Sequence, residues 1–186
     1  MHPVFESISG NFEYETGGSS NLGRLSEIFG KFCLDHHISI VTAESCTAGL
    51  IAGTIADTPG SSAWLDRGFV VYTPKAKNEV LGVSLADISQ FNITSEVVAA
   101  SMALNSLARS DASLALAVTG VTGPTGGTDK IPVGTVCFGW AFKQGIRNSR
   151  IFTETKLFQG ERNDIRKQVV SHALLRAMQL TTNFLG

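Results

Sequence analysis

Cysteine, histidine and charge are all scarce in this sequence of 186 residues, and each shortage removes a class of chemistry. The three cysteines, Cys33, Cys46 and Cys137, are far apart and odd in number, with no Cys-x-x-Cys spacing. That argues against a paired zinc site or a redox couple and points to a reducing, cytoplasmic setting. Of the four histidines, His2, His36 and His37 precede the first strand-like run and His172 lies in the last helical segment. None falls beside a motif, so a Ser/His/Asp triad has little support. Fifteen Lys and Arg oppose sixteen Asp and Glu, a net charge of −1. No basic field exists to hold a nucleic-acid backbone or an acidic membrane, and any role on DNA would be indirect. Nowhere do about 18 apolar residues run together, which excludes a spanning helix. From Met1 to about Asn21 there is neither a positive stretch nor an apolar one, so this segment reads as an N-terminal tail and not as a signal peptide.

What is present is apolar. Hydrophobic residues make up 43% of the chain against 17% charged, a balance that disfavours disorder and supplies a buried interior. The length fits one core, so residues 22–186 are expected to form one domain without a linker. From Leu22, the apolar residues Leu25, Ile28, Phe29, Phe32 and Cys33 recur near a period of 3.6, which predicts a helix ending near His36. Ile38 to Val41 reads as a short strand and Ala48 to Ala56 as a small-residue helix. Gly68 to Tyr72 is β-branched and apolar, hence a predicted buried strand. Thr73-Pro74 then supplies an N-cap with proline at N1 for a helix to about Leu81. Thr94 precedes Ser95 and Glu96 in the same way, opening a helix to about Arg109. Ser113 to Val118 is a further buried strand, followed by a glycine-rich loop. Val133 to Trp140 and Asn148 to Phe158 are strand-like and joined across Lys143-Gln144-Gly145 as an antiparallel hairpin. Ile165, Val169, Ala173, Leu174, Ala177 and Leu180 form one face of a long closing helix. Helices interleaved with about five strands imply an α/β domain, layered about a mixed sheet.

Thr42-Ala43-Glu44-Ser45-Cys46-Thr47 lies where a strand feeds a helix. A serine on such a turn is exposed as a nucleophile, with the first helical N–H groups as donors for an oxyanion. The plainer reading is that Ser45 caps the helix. Cys46 is a rival nucleophile whose thiol either ionises at the helix start or packs inward. For a base, Lys77 stands in the first turn of its helix, where the macrodipole and burial both favour a neutral amine. Lys75 shares the ambiguity between base and surface residue. Tyr72 is placed to hydrogen-bond either Ser45 or the lysine, or is an ordinary strand-end aromatic. The loop from Gly120 to Gly127 matches no established phosphate motif, yet its glycines allow close approach of an anion or a ribose. Arg162, just before the last helix, could meet a phosphate or an oxyanion.

Taken in order, "TAESCTAG", "GFVVYTPKAKNEVLGV", "AVTGVTGPTGG" with "PVGTV", and "FQGERNDIR" resemble the CinA carboxy-terminal domain family, and the resemblance runs from about Leu22 to Leu185. It implies a three-layer α/β/α sandwich with a mixed sheet, homo-oligomeric assembly and, because no room remains for a larger N-terminal domain, the stand-alone form. The implied activity is hydrolysis of the carboxamide of nicotinamide mononucleotide to nicotinic acid mononucleotide and ammonia, in pyridine-nucleotide salvage. The alternatives are a non-catalytic nucleotide-binding module in competence or DNA-damage response, or a related small-amide hydrolase.

By this resemblance, Ser45 matches the family's nucleophile. Lys77, not Lys75, matches the lysine of its Y-x-x-x-A-K pattern, Tyr72 the tyrosine, and Arg162 the arginine that stabilises the oxyanion. Thr47 is expected to bind the substrate, as are Gly120, Gly123, Pro124, Thr125 and Gly126 of the glycine-rich loop, which would hold the ribose and phosphate. The implied mechanism is a Ser-Lys acyl-enzyme route with no metal or organic cofactor, acting on a small nucleotide, with no direct nucleic-acid or membrane partner. Three positions depart from the pattern: Ala48 stands where glycine is usual, Thr125 replaces a glycine, and Thr73-Pro74 replaces a frequent Ser-Asn pair.

Overall fold

Residues 20–144 and 148–185 are described in the computed structural model. In chain order the elements are α1 (Ser20–Asp35), β1 (Ile40–Glu44), α2 (Leu50–Ala56), a 3-10 turn (Ser61–Ala63) and β2 (Leu65–Val70). Then come α3 (Pro74–Leu81), α4 (Leu85–Phe91), α5 (Glu96–Ala108), β3 (Leu114–Gly120), β4 (Thr135–Gln144), β5 (Asn148–Leu157) and α6 (Arg162–Leu185). The strands lie in the order β2-β1-β3-β4-β5. β2, β1 and β3 are mutually parallel, while β4 and β5 run antiparallel as a hairpin. The carboxyl ends of three strands therefore meet at one edge of the sheet.

Side chains alternate along the central strands, and the alternation sorts them into two cores. On one face Ile40, Leu114, Leu116, Val118, Phe138 and Trp140 pack with buried residues of α1, α2 and α6. On the other, Val41, Ala43, Ala115, Ala117 and Ala141 meet Leu81 of α3 and Val98, Met102 and Ala103 of α5. The result is the three-layer α/β/α sandwich with a mixed five-strand sheet. The second face carries small residues because α5 lies close against it: a Cβ added at Gly139 would stand 2.6 Å from the Ala99 carbonyl oxygen. Large side chains fill the first face, where the Trp140 indole N–H reaches the Ala173 carbonyl of α6 at 3.1 Å.

Several expectations shift. The strand predicted as buried at Gly68 to Tyr72 is observed at Leu65–Val70, and most of its residues are exposed, because β2 is an edge strand paired with β1 alone. Ser95, not Thr94, caps α5, accepting from the Val98 N–H at 3.3 Å, while Thr94 is buried. Helix α4 was not anticipated, although Ser84 caps it by accepting from the Asp87 N–H at 3.2 Å. The hairpin register pairs Gln144 with Asn148, and Gly145 of its turn lies outside the described residues. So does residue range 1–19 of the expected tail, whose last two residues belong to α1. Among the described residues no helix is long and apolar enough to cross a membrane.

Candidate active site

Ser45 follows the last residue of β1. Its N–H donates to the Val118 carbonyl of β3 at 3.1 Å, and the Glu44 carbonyl accepts from the Val71 N–H at 2.8 Å. Ser45 thus sits between the extensions of the two neighbouring strands, at the edge where open α/β sheets bind ligands. The turn into α2 holds Ala48 at φ 52° and Gly49 at φ 92°, both left-handed.

Lys77 reaches this point from α3. Thr73 caps that helix, its hydroxyl accepting from the Ala76 N–H at 3.1 Å, and Pro74 occupies its first position. Lys77 lies one turn before Leu81 on the inward face, and both are fully buried. The Lys77 Nζ stands 2.8 Å from Ser45 Oγ, 2.8 Å from the Val71 carbonyl and 3.4 Å from the Tyr72 carbonyl. Nζ donates to the Ser45 hydroxyl and to both carbonyls, and the Ser45 hydroxyl donates in turn to the Tyr72 carbonyl at 3.4 Å; once the amine is neutral, its lone pair is in reach of the serine proton. Burial lowers the amine from its ordinary 10.5 to about 8. Lys75, by contrast, points to solvent, 3.7 Å from Glu79.

Glu44 carries no exposed surface, and its carboxylate accepts from the N–H groups of Gly49, Ile51 and Ala52 at 3.0, 3.0 and 2.8 Å. The expectation that the first helical N–H groups face an oxyanion is therefore corrected: those of α2 face Glu44. Thr47 also donates its hydroxyl to Glu44, at 2.6 Å, so its side chain is held within the turn.

The Tyr72 hydroxyl is bonded to neither Ser45 nor Lys77. Its hydroxyl accepts from Arg162 Nη2 at 3.0 Å, and it is the Tyr72 carbonyl that meets the dyad. Arg162 Nη1 donates to the Thr122 hydroxyl at 3.0 Å and to the Gly123 carbonyl at 2.8 Å, tying the start of α6 to the glycine-rich loop. Gly123 is buried at φ 71°, and a Cβ there would meet Val133 at 2.6 Å, so this glycine is required by the loop itself. Pro124, Thr125 and Gly126 are exposed beyond it, while Gly120 ends β3. Arg166, one turn after Arg162, donates to the Thr47 carbonyl at 2.7 Å. Cys46 is buried, which pushes its thiol up to about 12 and leaves it neutral, a poor nucleophile. His172 packs against Phe138, Trp140 and Phe158, beside Glu154 and apart from these groups. Among the described residues no group of three or more His, Cys, Asp or Glu is gathered to hold a metal. A cavity of about 490 Å³ opens next to Pro74, between Phe91 of α4 and Thr128; Lys130 is the charged residue in its lining.

The family described as CinA C-terminal domain matches residues 23–181. The chain belongs to the CinA C-terminal domain family. Relatives in it include the nicotinamide-nucleotide amidohydrolase PncC of Enterobacter agglomerans, 46% identical over 75% of this chain and 83% of that protein. The enzyme of the same name from Escherichia coli strain K12 is 39% identical over 83% of this chain and 92% of its own length. Among solved structures, the competence/damage inducible protein CihA of Agrobacterium tumefaciens superposes with a TM-score of 0.78 at 37% identity, covering 85% of this chain and 95% of that one. A CinA superfamily protein of Escherichia coli gives 0.77 at 32% identity, covering 97% and 99%.

Within this CinA domain the structure brings Ser45, Lys77, the Tyr72 main chain, Arg162 and the loop at Gly123 to one edge of the sheet. It does not bring the side chains of Tyr72 and Thr47 into the Ser45–Lys77 pair. Sequence reasoning missed Glu44 and Arg166. The signal for Glu44 was present, since an acid closing an apolar strand must find donors once buried. For Arg166 it was the spacing of four from Arg162, which puts both on one helical face.

Proposed function

We propose that this CinA-family domain hydrolyses the carboxamide of nicotinamide mononucleotide through an acyl-enzyme on Ser45, with Lys77 as the base. The observation that carries this reading is the 2.8 Å contact between Ser45 Oγ and a fully buried Lys77 Nζ whose other neighbours are main-chain carbonyls. Among the described residues no carboxylate is paired with this amine. The names of the relatives supply the substrate.

In this reading neutral Lys77 takes the Ser45 proton as Oγ attacks the carboxamide carbon. The tetrahedral intermediate collapses, and its nitrogen takes the proton from Lys77 and leaves as ammonia. Water then attacks the ester, Lys77 takes its proton and returns it to Ser45, and the acid departs. Arg162 supplies positive charge beside the glycine-rich loop. The exposed loop through Thr125 and Gly126, tied to Arg162, offers room for ribose and phosphate. The chain is taken to act as a homo-oligomer in a reducing cytoplasm; its described cysteines are buried and unpaired.

The test is ammonia release over a panel of pyridine amides and their nucleotides. The expected result is turnover of the mononucleotide with a kcat/KM well above that of free nicotinamide. Equal turnover of free nicotinamide would remove the loop as a determinant. Tight binding of the mononucleotide without ammonia would favour a non-catalytic binding module.

A further inference from the structure

Among the described residues, Glu44 and Lys77 are the charged side chains with no exposed surface, and Glu44 takes no part in the proton transfers between Lys77, Ser45 and the substrate. Its partners show how the carboxylate is held. Oε1 accepts from the Ala52 N–H at 2.8 Å and the Thr42 hydroxyl at 3.2 Å. Oε2 accepts from the Thr47 hydroxyl at 2.6 Å and from the N–H groups of Gly49 and Ile51 at 3.0 Å each. All five partners are donors, so only a group that accepts on both oxygens satisfies the set.

This grip falls around the nucleophile. On the near side, the Glu44 main chain is bonded to Val71, the residue whose carbonyl receives Lys77 Nζ. On the far side the carboxylate pins residues 47 to 52. Within the turn the Ala48 N–H goes to the Ser45 carbonyl at 3.1 Å and the Leu50 N–H to the Thr47 carbonyl at 3.2 Å. Arg166 reaches the same Thr47 carbonyl from α6. The turn's N–H groups that none of these bonds uses belong to Cys46 and Thr47, the two residues after the nucleophile. Main-chain donors in that position are suited to a developing oxyanion, provided that the peptides cannot rotate.

We propose that Glu44 is a positioning residue for the hydrolysis: its carboxylate fixes the turn so that the Cys46 and Thr47 N–H groups face the oxyanion while Ser45 stays in reach of Lys77. The proposal rests on the reading of Ser45 as nucleophile.

The experiment compares the wild type with Glu44→Gln, which puts an amide donor against groups that are themselves donors. Three readouts are taken: kcat and KM for the mononucleotide, the pH profile, and inhibition by pyridine-3-boronic acid. That probe forms a bond from Ser45 Oγ to boron, with the serine proton passing to Lys77, and so carries a tetrahedral anion. The expected result is a kcat lower by about 10–100-fold, a KM within about threefold, and boronate affinity weakened in step with kcat. The pH at which activity falls should stay in place, because the surroundings of Lys77 are intact. A kcat within threefold of the wild type, a loss carried by KM, or unchanged boronate affinity overturns the proposal. Should Glu44→Gln fail to fold by circular dichroism, Thr47→Val carries the same readouts, since it deletes one donor to Glu44 and keeps the side-chain shape. Its expected loss in kcat is about 3–10-fold, and an unchanged kcat overturns the proposal equally. Ser45→Ala is run alongside: if it retains turnover, the nucleophile reading has failed, whatever the Glu44 variant does.

Discussion

Lys77 is a costly residue to bury, and the cost has a sign that can be measured. In the unfolded chain its amine titrates near its ordinary 10.5; in the folded protein burial lowers it to about 8. Between these values the unfolded chain binds more protons, so stability rises with pH across that window, and below 8 the penalty is fully present. Lys77→Met should therefore be inactive yet more stable at pH 7, by about 1 kcal/mol once the lost bond to the Val71 carbonyl offsets part of the gain. Calorimetry at pH 7 and pH 10 checks this, and a stability gain that does not shrink with pH would contradict it. For catalysis the sign is the same: the neutral form is the base, so kcat should fall about tenfold per pH unit below 8. Lys77→Arg keeps the charge but supplies no neutral amine, and should be as inactive as Lys77→Ala, whereas Lys75→Ala should retain most activity. A Lys77→Arg enzyme with substantial turnover would make the residue a source of charge and not of basicity. The residues alone left the two lysines open and only the resemblance chose Lys77; in the structure Lys77 and Leu81 share the inward face of α3 and Lys75 and Glu79 the outward one.

At the scale of elements, the start of α2 stores strain. Ala48 adopts φ 52°, a region that costs a non-glycine residue about 1 kcal/mol. It stands where the resembled family usually has glycine. Ala48→Gly is expected to raise the melting temperature by about 2–4 °C; an unchanged or lower value by scanning calorimetry would show that the alanine conformation carries no penalty. Helix α3 and its Thr73-Pro74 cap were legible because capping is local chemistry. Edge strand β2 was not, because a β-branched run reads alike whether one neighbour or two pair with it. Helix α4 escaped because its seven residues are too short to show a period, although Ser84 and Asp87 marked its start.

For the molecule as a whole, the layered fold could be read from alternating helices and strands, and the site from four ordered motifs. What joins those motifs could not. Arg162 meets Thr122 across 40 positions and Tyr72 across 90, contacts that exist only because β1, β2 and β3 end at one edge. The Tyr72 side chain turned to Arg162 for the same reason, while its carbonyl took the place beside the dyad. The Ser45–Lys77 pair at that edge is the centre of the account, and its most direct test is to trap the intermediate. Wild-type protein mixed with the mononucleotide and acid-quenched within a turnover should carry an acyl adduct, located by peptide mass spectrometry on Ser45. Ser45→Ala should show no adduct and a rate lower by about 10⁴-fold or more, with Cys46→Ala still active. An adduct on Cys46, or wild-type ammonia release from Ser45→Ala, would contradict the account.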